Sequence, residues 1–208
     1  MNDRKTLWYV ADPMCSWCWG FSPIIENIHQ HYSERLNIAL IVGGLRPGTK
    51  LPIASKQREE ILHHWHNVQR LTGQPFQFDG AIPEGFIYDT EIACRSVITV
   101  STIDPNATFS FFKAIQHAFY AEQRNVTKVD VLAQLAFAMG INQQQFRQLF
   151  ESKEIKEQTL SQFRQAQQWG VQGFPTLIIQ NESSYKVLAS GYCPEESLCS
   201  QLDAWLKT

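Results

Sequence analysis

Strand-like sequence is confined to the two ends of this chain. Near the start, Leu7–Ala11 is apolar at every position and Asn37–Val42 follows it. Near the end come Thr176–Gln180 and Tyr185–Ser190, joined through Asn181-Glu182-Ser183-Ser184. Between them the spacing is helical, apart from a loop rich in Gly and Pro over Thr72–Gly85. A run apolar on both faces suits the centre of a covered sheet, and neither end has enough strands to cover it alone. The two ends must therefore meet in one four-stranded sheet, with a helical block inserted between the second and third strands. The expected boundaries are 1–48 and 171–208 for the α/β domain and 49–170 for the insertion.

The helices are read from apolar stripes. Ser16–Tyr32 carries Trp17, Phe21, Ile24, Ile25 and Ile28, with Pro23 predicting a kink. Ile53–Leu71 follows, then Asp89–Thr102, Thr108–Gln123, Lys128–Met139 and one or two helices over Gln143–Trp169. Thr127 and Asn142 are capping residue types, and Gly140 and Gly170 are stops. The last helix should run from Pro194, at its first position, to Leu206.

Composition removes several function classes. The 208 residues are 44% hydrophobic and 18% charged, which excludes a disordered chain. A formal net charge of −2 gives no basic surplus for nucleic-acid phosphates. No apolar run approaches the roughly 18 residues of a membrane helix. Leu7–Ala11 is stopped by Asp12-Pro13, too short for a secretion signal. The expected partners exclude nucleic acid and membrane, and the expected location is the cytoplasm. In that reducing compartment five cysteines default to free thiols, and a close pair suggests redox or metal chemistry.

Such a pair exists. Cys15-Ser16-Trp17-Cys18 follows the first strand and opens the first helix. Positions i and i+3 share a helix face, so the two sulfurs can reach one another. Unpaired amides and the positive dipole end at a helix start favour thiolate, the nucleophilic form, at Cys15. Cys18, one turn in, is expected to be more buried and less acidic. A structural pair and half of a zinc site are the alternatives; Cys193 and Cys199 and the cluster His63, His64, His66 do not have zinc spacing. The histidines read as a solvated helix face. Gly173-Phe174-Pro175-Thr176 is the second signal, because a proline at the mouth of a strand cannot join the ladder and marks an edge, bulge or cis bond.

With these motifs in this order, the chain resembles the DsbA family of thioredoxin-fold proteins over nearly its whole length. The run from Asp12 to Phe21 is similar to the cytosolic branch known as predicted protein-disulfide isomerases. That branch is related to FrnE-type proteins, 2-hydroxychromene-2-carboxylate isomerases and kappa-class glutathione transferases. Gly43-Gly44-Leu45-Arg46, the run from Tyr88 to Arg95 and Ala118-Phe119-Tyr120 resemble it too. The resemblance implies a thioredoxin-like α/β fold of DsbA type. It makes Cys15 the attacking and Cys18 the resolving thiol. Pro175 becomes a cis-proline facing them, and the Phe174 backbone an edge for a bound peptide or glutathione. The substrates would be thiol or disulfide proteins and peptides, with glutathione as a candidate co-substrate and neither metal nor other cofactor. The Ser-Trp dipeptide and the bulky Phe174 depart from the periplasmic proteins. The isomerase and transferase branches typically carry serine at the first cysteine, so Cys15 favours thiol-disulfide exchange.

Five further readings complete the expectations. Asp12 tunes the thiols or caps an Asx-type turn before Pro13. Trp17 and Trp19 either floor a hydrophobic substrate groove or pack in the core as an aromatic at helical spacing usually does, with Trp17 the better groove candidate. Arg46 sits on the surface or contacts an anionic substrate. Cys94 is a buried small hydrophobe. Cys193, after the turn Gly191-Tyr192, lies nearer the site than Cys94 does.

Overall fold

The computed structural model describes residues 5–181 and 184–208. The elements are β1 (Thr6–Ala11), α1 (Ser16–Tyr32), β2 (Asn37–Val42), α2 (Ser55–Thr72), α3 (Glu91–Ile103), a 3-10 turn (Pro105–Ala107) and α4 (Thr108–Tyr120). After them come α5 (Val129–Ala138), α6 (Gln143–Glu151), α7 (Lys153–Gln168), β3 (Thr176–Asn181), β4 (Ser184–Ser190) and α8 (Glu195–Leu206).

The two ends do meet. They form one sheet in the order β2-β1-β3-β4. β1 runs parallel to β2, with Leu7 opposite Ile38, and antiparallel to β3, with Leu7 opposite Ile179. The central position explains the apolar sequence of β1. Leu7, Tyr9 and Ala11 face the main core, while Val10 joins Ile41, Ala166 and Ile178 on the opposite face beneath α7. The β3–β4 connection includes Glu182 and Ser183, which lie outside the described residues. This is the thioredoxin-like α/β fold of DsbA type, with its helical insertion between β2 and β3.

The insertion is fastened to the sheet domain. Gln162 on α7 accepts the Val42 N–H at 2.9 Å, satisfying a donor at the end of an edge strand. Trp19 of α1 stacks on Tyr120 of α4 at 6.4 Å, and its indole N–H donates to the Pro75 carbonyl at 3.0 Å. Tyr120 in turn meets Trp65 of α2 at 4.9 Å. Trp19 is thus core, as expected.

Several local expectations are adjusted. Asn142 does cap α6, accepting from the Gln145 N–H at 3.0 Å. Ser152 caps α7 through the Ile155 N–H at 3.2 Å, which divides the last helical stretch in two. Thr127 caps nothing. Its N–H and hydroxyl both go to Asn125 Oδ1, and α5 begins after Lys128. Pro194 is the N-cap of α8 and not its first residue, because its ψ of 143° is extended. Glu195 and Glu196 then occupy the positive end of the helix dipole.

α1 continues across Pro23. Proline has no N–H to give the carbonyl four residues back, which is that of Trp19. Gln74, just beyond α2, supplies the missing donor: its Nε2 reaches the Trp19 carbonyl at 3.1 Å and Ser22 Oγ at 2.7 Å. Gln74→Ala is therefore expected to lower unfolding stability by about 1–3 kcal/mol, the cost of an orphaned buried acceptor. Pro23→Ala restores the helix donor, so it should recover most of that loss in the Gln74→Ala background. Urea unfolding of the four proteins checks this, and an equal Gln74→Ala loss with proline or alanine at 23 would refute it.

Candidate active site

The loop leaving β1 is shaped by one buried carboxylate. Asp12 is 0% exposed. Its Oδ1 accepts the Met14 N–H at 2.8 Å, the Asx-type turn expected before Pro13. Its Oδ2 accepts the Leu45 N–H at 2.6 Å, tying this loop to the one that leaves β2. Its backbone carbonyl accepts the Cys15 N–H at 3.1 Å. Burial pushes the Asp12 carboxyl up from the ordinary aspartate value, opposed by the Leu45 and Met14 amides, the Thr90 hydroxyl and the Cys94 thiol.

The segment between α2 and α3 latches onto both loops. Tyr88 donates its hydroxyl to the Met14 carbonyl at 2.6 Å. Thr90 Oγ1 accepts the Arg46 N–H at 3.0 Å, and Asp89 Oδ1 accepts the Gly48 N–H at 2.8 Å. Cys94 donates its thiol to Asp12 Oδ2 at 3.4 Å. Cys94 is buried, as expected, but it is not inert packing: of Cys94 and Cys193, it is the one that touches the Asp12 network. Burial, and then the Asp12 charge, push its thiol well up.

Cys15 is the N-cap of α1, with extended backbone at φ −94° and ψ 119°. It is 6% exposed, its sulfur lines a cleft of about 210 Å³, and its Sγ lies 3.6 Å from the Phe174 carbonyl oxygen. Cys18 is 0% exposed and lies within reach of Cys15 without a bond between them. Burial pushes the Cys18 thiol well above its ordinary value, and the neighbouring Cys15 sulfur pushes it further. The two sulfurs thus differ in access, one facing the cleft and the other sealed beneath it.

The Phe174–Pro175 peptide bond is cis, as the position of the proline suggested. The Phe174 ring is seated by the absence of a side chain at Gly43: a Cβ there would lie 2.0 Å from the ring. Gly44, at φ +71°, is likewise covered by Phe163 of α7, 2.9 Å from where a Cβ would sit. The Gly-Gly step after β2 therefore admits one aromatic ring from each side.

The cleft is also lined by Trp17, Arg46, His64, Trp65 and Tyr88. Trp17 is half-buried, with its ring 6.2 Å from Tyr192, in keeping with a groove wall. Arg46 lies over Tyr88, 5.6 Å from the ring centre, so it belongs to the cleft. His64 is exposed as expected for the histidine cluster, but it stands at the cleft and not on a featureless helix face. His66 turns away and stacks on Phe78 at 3.9 Å. Cys193 and Cys199 are half-buried. Among the described residues, no three His, Cys, Asp or Glu side chains converge as metal ligands would.

Comparison with known proteins places this geometry. A family model described as the DSBA-like thioredoxin domain matches residues 6–203. The chain superposes on a candidate protein disulfide isomerase from Nitrosomonas europaea with a TM-score of 0.94 and 48% identity, over 98% of each chain. The cytosolic disulfide reductase DsbM from Pseudomonas aeruginosa, in a structure with GSH, gives a TM-score of 0.79 at 25% identity, over 98% of this chain and 100% of that one. Among curated proteins, the ClpXP adapter protein SpxH of Halalkalibacterium halodurans is 24% identical over 83% of this chain and 57% of its own length. The chain thus spans little more than half the length of the curated relatives it matches.

The Asp12 network has a measurable signature. A folded-state pKa raised above the unfolded one adds stability that is fully present below the unfolded value. That stability is lost as pH rises through the folded value. Carboxyl-carbon NMR should show Asp12 keeping its proton above the ordinary aspartate value, and Cys94→Ala, which removes a donor to the carboxylate, should raise Asp12 further. Titration of Asp12 at or below the ordinary aspartate value would contradict this.

Proposed function

The chain belongs to the DSBA-like thioredoxin family, a family of thiol-disulfide oxidoreductases, and from that premise we propose that Cys15 and Cys18 exchange disulfides with protein or peptide thiols in the cytoplasm. The observation that carries the reading is the unequal pair: Cys15 faces a cleft while Cys18 lies buried within reach of it.

Exchange proceeds in two displacements. The Cys15 thiolate attacks a substrate disulfide, forming a mixed disulfide and releasing one substrate thiolate. Cys18 then attacks the Cys15 sulfur, which closes the Cys15–Cys18 bond and releases the second thiolate. The substrate is reduced and the protein oxidised; the reverse order oxidises a substrate. The burial of Cys18 suits this sequence, because a sealed thiol meets only what Cys15 has already captured. No metal or nicotinamide enters the balance.

The remaining residues fit binding roles. The backbone of Phe174 beside Cys15 offers an extended peptide a strand-like edge, with Trp17 as a wall. Pro175 contributes no N–H there. Asp12 acts by fixing the Cys15 loop against the Leu45 loop. Arg46 and His64 give the cleft a rim suited to carboxylates, which supports glutathione as a co-substrate; the DsbM neighbour was determined with GSH. Neither nucleic acid nor a membrane is a partner in this reading.

Turnover of a protein disulfide driven by glutathione, with intact-mass analysis, tests the assignment. Cys15→Ser should fall to the uncatalysed background, and Cys18→Ser should accumulate a stable mixed disulfide on Cys15. Exchange surviving in Cys15→Ser would refute the mechanism. Full glutathione-dependent activity in Cys18→Ser would instead assign an isomerase or transferase acting on a small aromatic substrate. The curated relatives carry adapter names, and an adapter role would survive loss of both sulfurs, whereas exchange would not.

A further inference from the structure

Tyr9 occupies the middle inward position of β1, and its ring is held on two sides. Phe21 of α1 stacks on it at 5.8 Å, and Phe112 of α4 meets it edge-on at 6.1 Å. The side chain is 0% exposed. Its hydroxyl makes no hydrogen bond among the described residues, and the group it faces is the Cys18 sulfur. A buried phenol without a partner costs stability, and phenylalanine would fill the same space without that cost.

We propose that the Tyr9 hydroxyl is a donor reserved for the Cys18 sulfur, its hydrogen bond formed only as that sulfur becomes a thiolate in the resolving displacement. The proposal rests on the exchange reading above and names one further residue for it. In the resolving step the Cys18 proton passes to the buffer. The Cys18 electron pair forms the bond to Cys15, and the pair of the broken bond leaves with the substrate sulfur. Charge develops on Cys18 in a sealed site, where water cannot solvate it. A hydrogen bond to an ionised acceptor is about twice as strong as one to a neutral group. A donor idle beside the thiol and engaged beside the thiolate lowers the barrier without stabilising the resting state.

The titratable groups facing Cys18 among the described residues are Tyr9 from β1, and Cys15 and Asp12 from the loop that opens α1. The Asp12 backbone N–H also points at the Cys18 sulfur and is the second donor there. The Cys15 and Asp12 charges oppose ionisation of Cys18, whereas the Tyr9 hydroxyl beside it is a donor that can offset them.

The test uses dithiobis(nitrobenzoate), which releases one coloured thiolate when Cys15 attacks and a second when Cys18 resolves. With Cys193→Ser and Cys199→Ser in every protein compared, the otherwise wild-type chain should show two releases and Cys18→Ser one. In Tyr9→Phe the first release should match wild type. The second should slow about tenfold at neutral pH, with its pH profile moved up by about one unit. The melting midpoint should be no lower than wild type, because the lost hydroxyl has no partner. An unchanged second release overturns the proposal and leaves exchange standing. Equal slowing of both releases, or a lower melting midpoint, makes the hydroxyl structural and overturns it as well. A single release from wild type removes the exchange reading, and this inference falls with it.

Discussion

The antiparallel pairing of β1 with β3 is the constraint on which the site depends. Val10 stands opposite Thr176, so the chain leaving β1 toward Cys15 and the chain entering β3 through Phe174–Pro175 share one end of the sheet. Because β2 is parallel to β1, Gly43-Gly44-Leu45-Arg46 leaves from that end too. Three loops from distant parts of the chain are thereby stacked side by side. A slip of one residue in the pairing would turn Tyr9 out of the core and carry Phe174 away from Cys15.

Once gathered, the loops are locked by few contacts. The Asp12 carboxylate bridges two of them, and a Gly43 without a side chain lets the third press its Phe174 ring against the second. The insertion adds the run from Tyr88 to Cys94, whose hydrogen bonds to these loops land on loop backbone or on Asp12. The helical block thus does more than cover the cleft. It holds the Cys15 loop through the Tyr88 hydroxyl, and Cys94 ties α3 to Asp12.

Much of this was legible in the sequence because it follows from local rules. The all-apolar β1 demanded a central position, C-x-x-C at a strand-helix junction placed the two sulfurs, and proline before β3 marked an edge, bulge or cis bond, of which the family resemblance chose cis. Asn142 announced a cap by its type and position. The residues that escaped are those whose role is set by a partner far along the chain. Cys94 and Tyr9 look like packing, since a thiol or phenol in an apolar stripe has no local mark of what it will face. His64 was hidden because only the seating of α2 decides which exposed histidine borders the cleft. Pro23 predicted a kink, and the donor that replaces its missing N–H, Gln74, comes from beyond another helix. The run from Tyr88 to Cys94 was visible only as a resemblance, with no local pattern to say that it would grip the loops.

The central claim is that Cys15 and Cys18 cycle between dithiol and disulfide while the other three cysteines stay out of the chemistry. It is tested most directly by equilibrating the protein with glutathione redox mixtures, quenching in acid and mapping every cysteine by mass spectrometry. The account predicts a single intramolecular bridge, Cys15–Cys18, that forms and disappears in one two-electron transition, with Cys94 reduced throughout. Failure to form that bridge at any poise, or a dominant bridge from Cys15 or Cys18 to Cys94, Cys193 or Cys199, would contradict it.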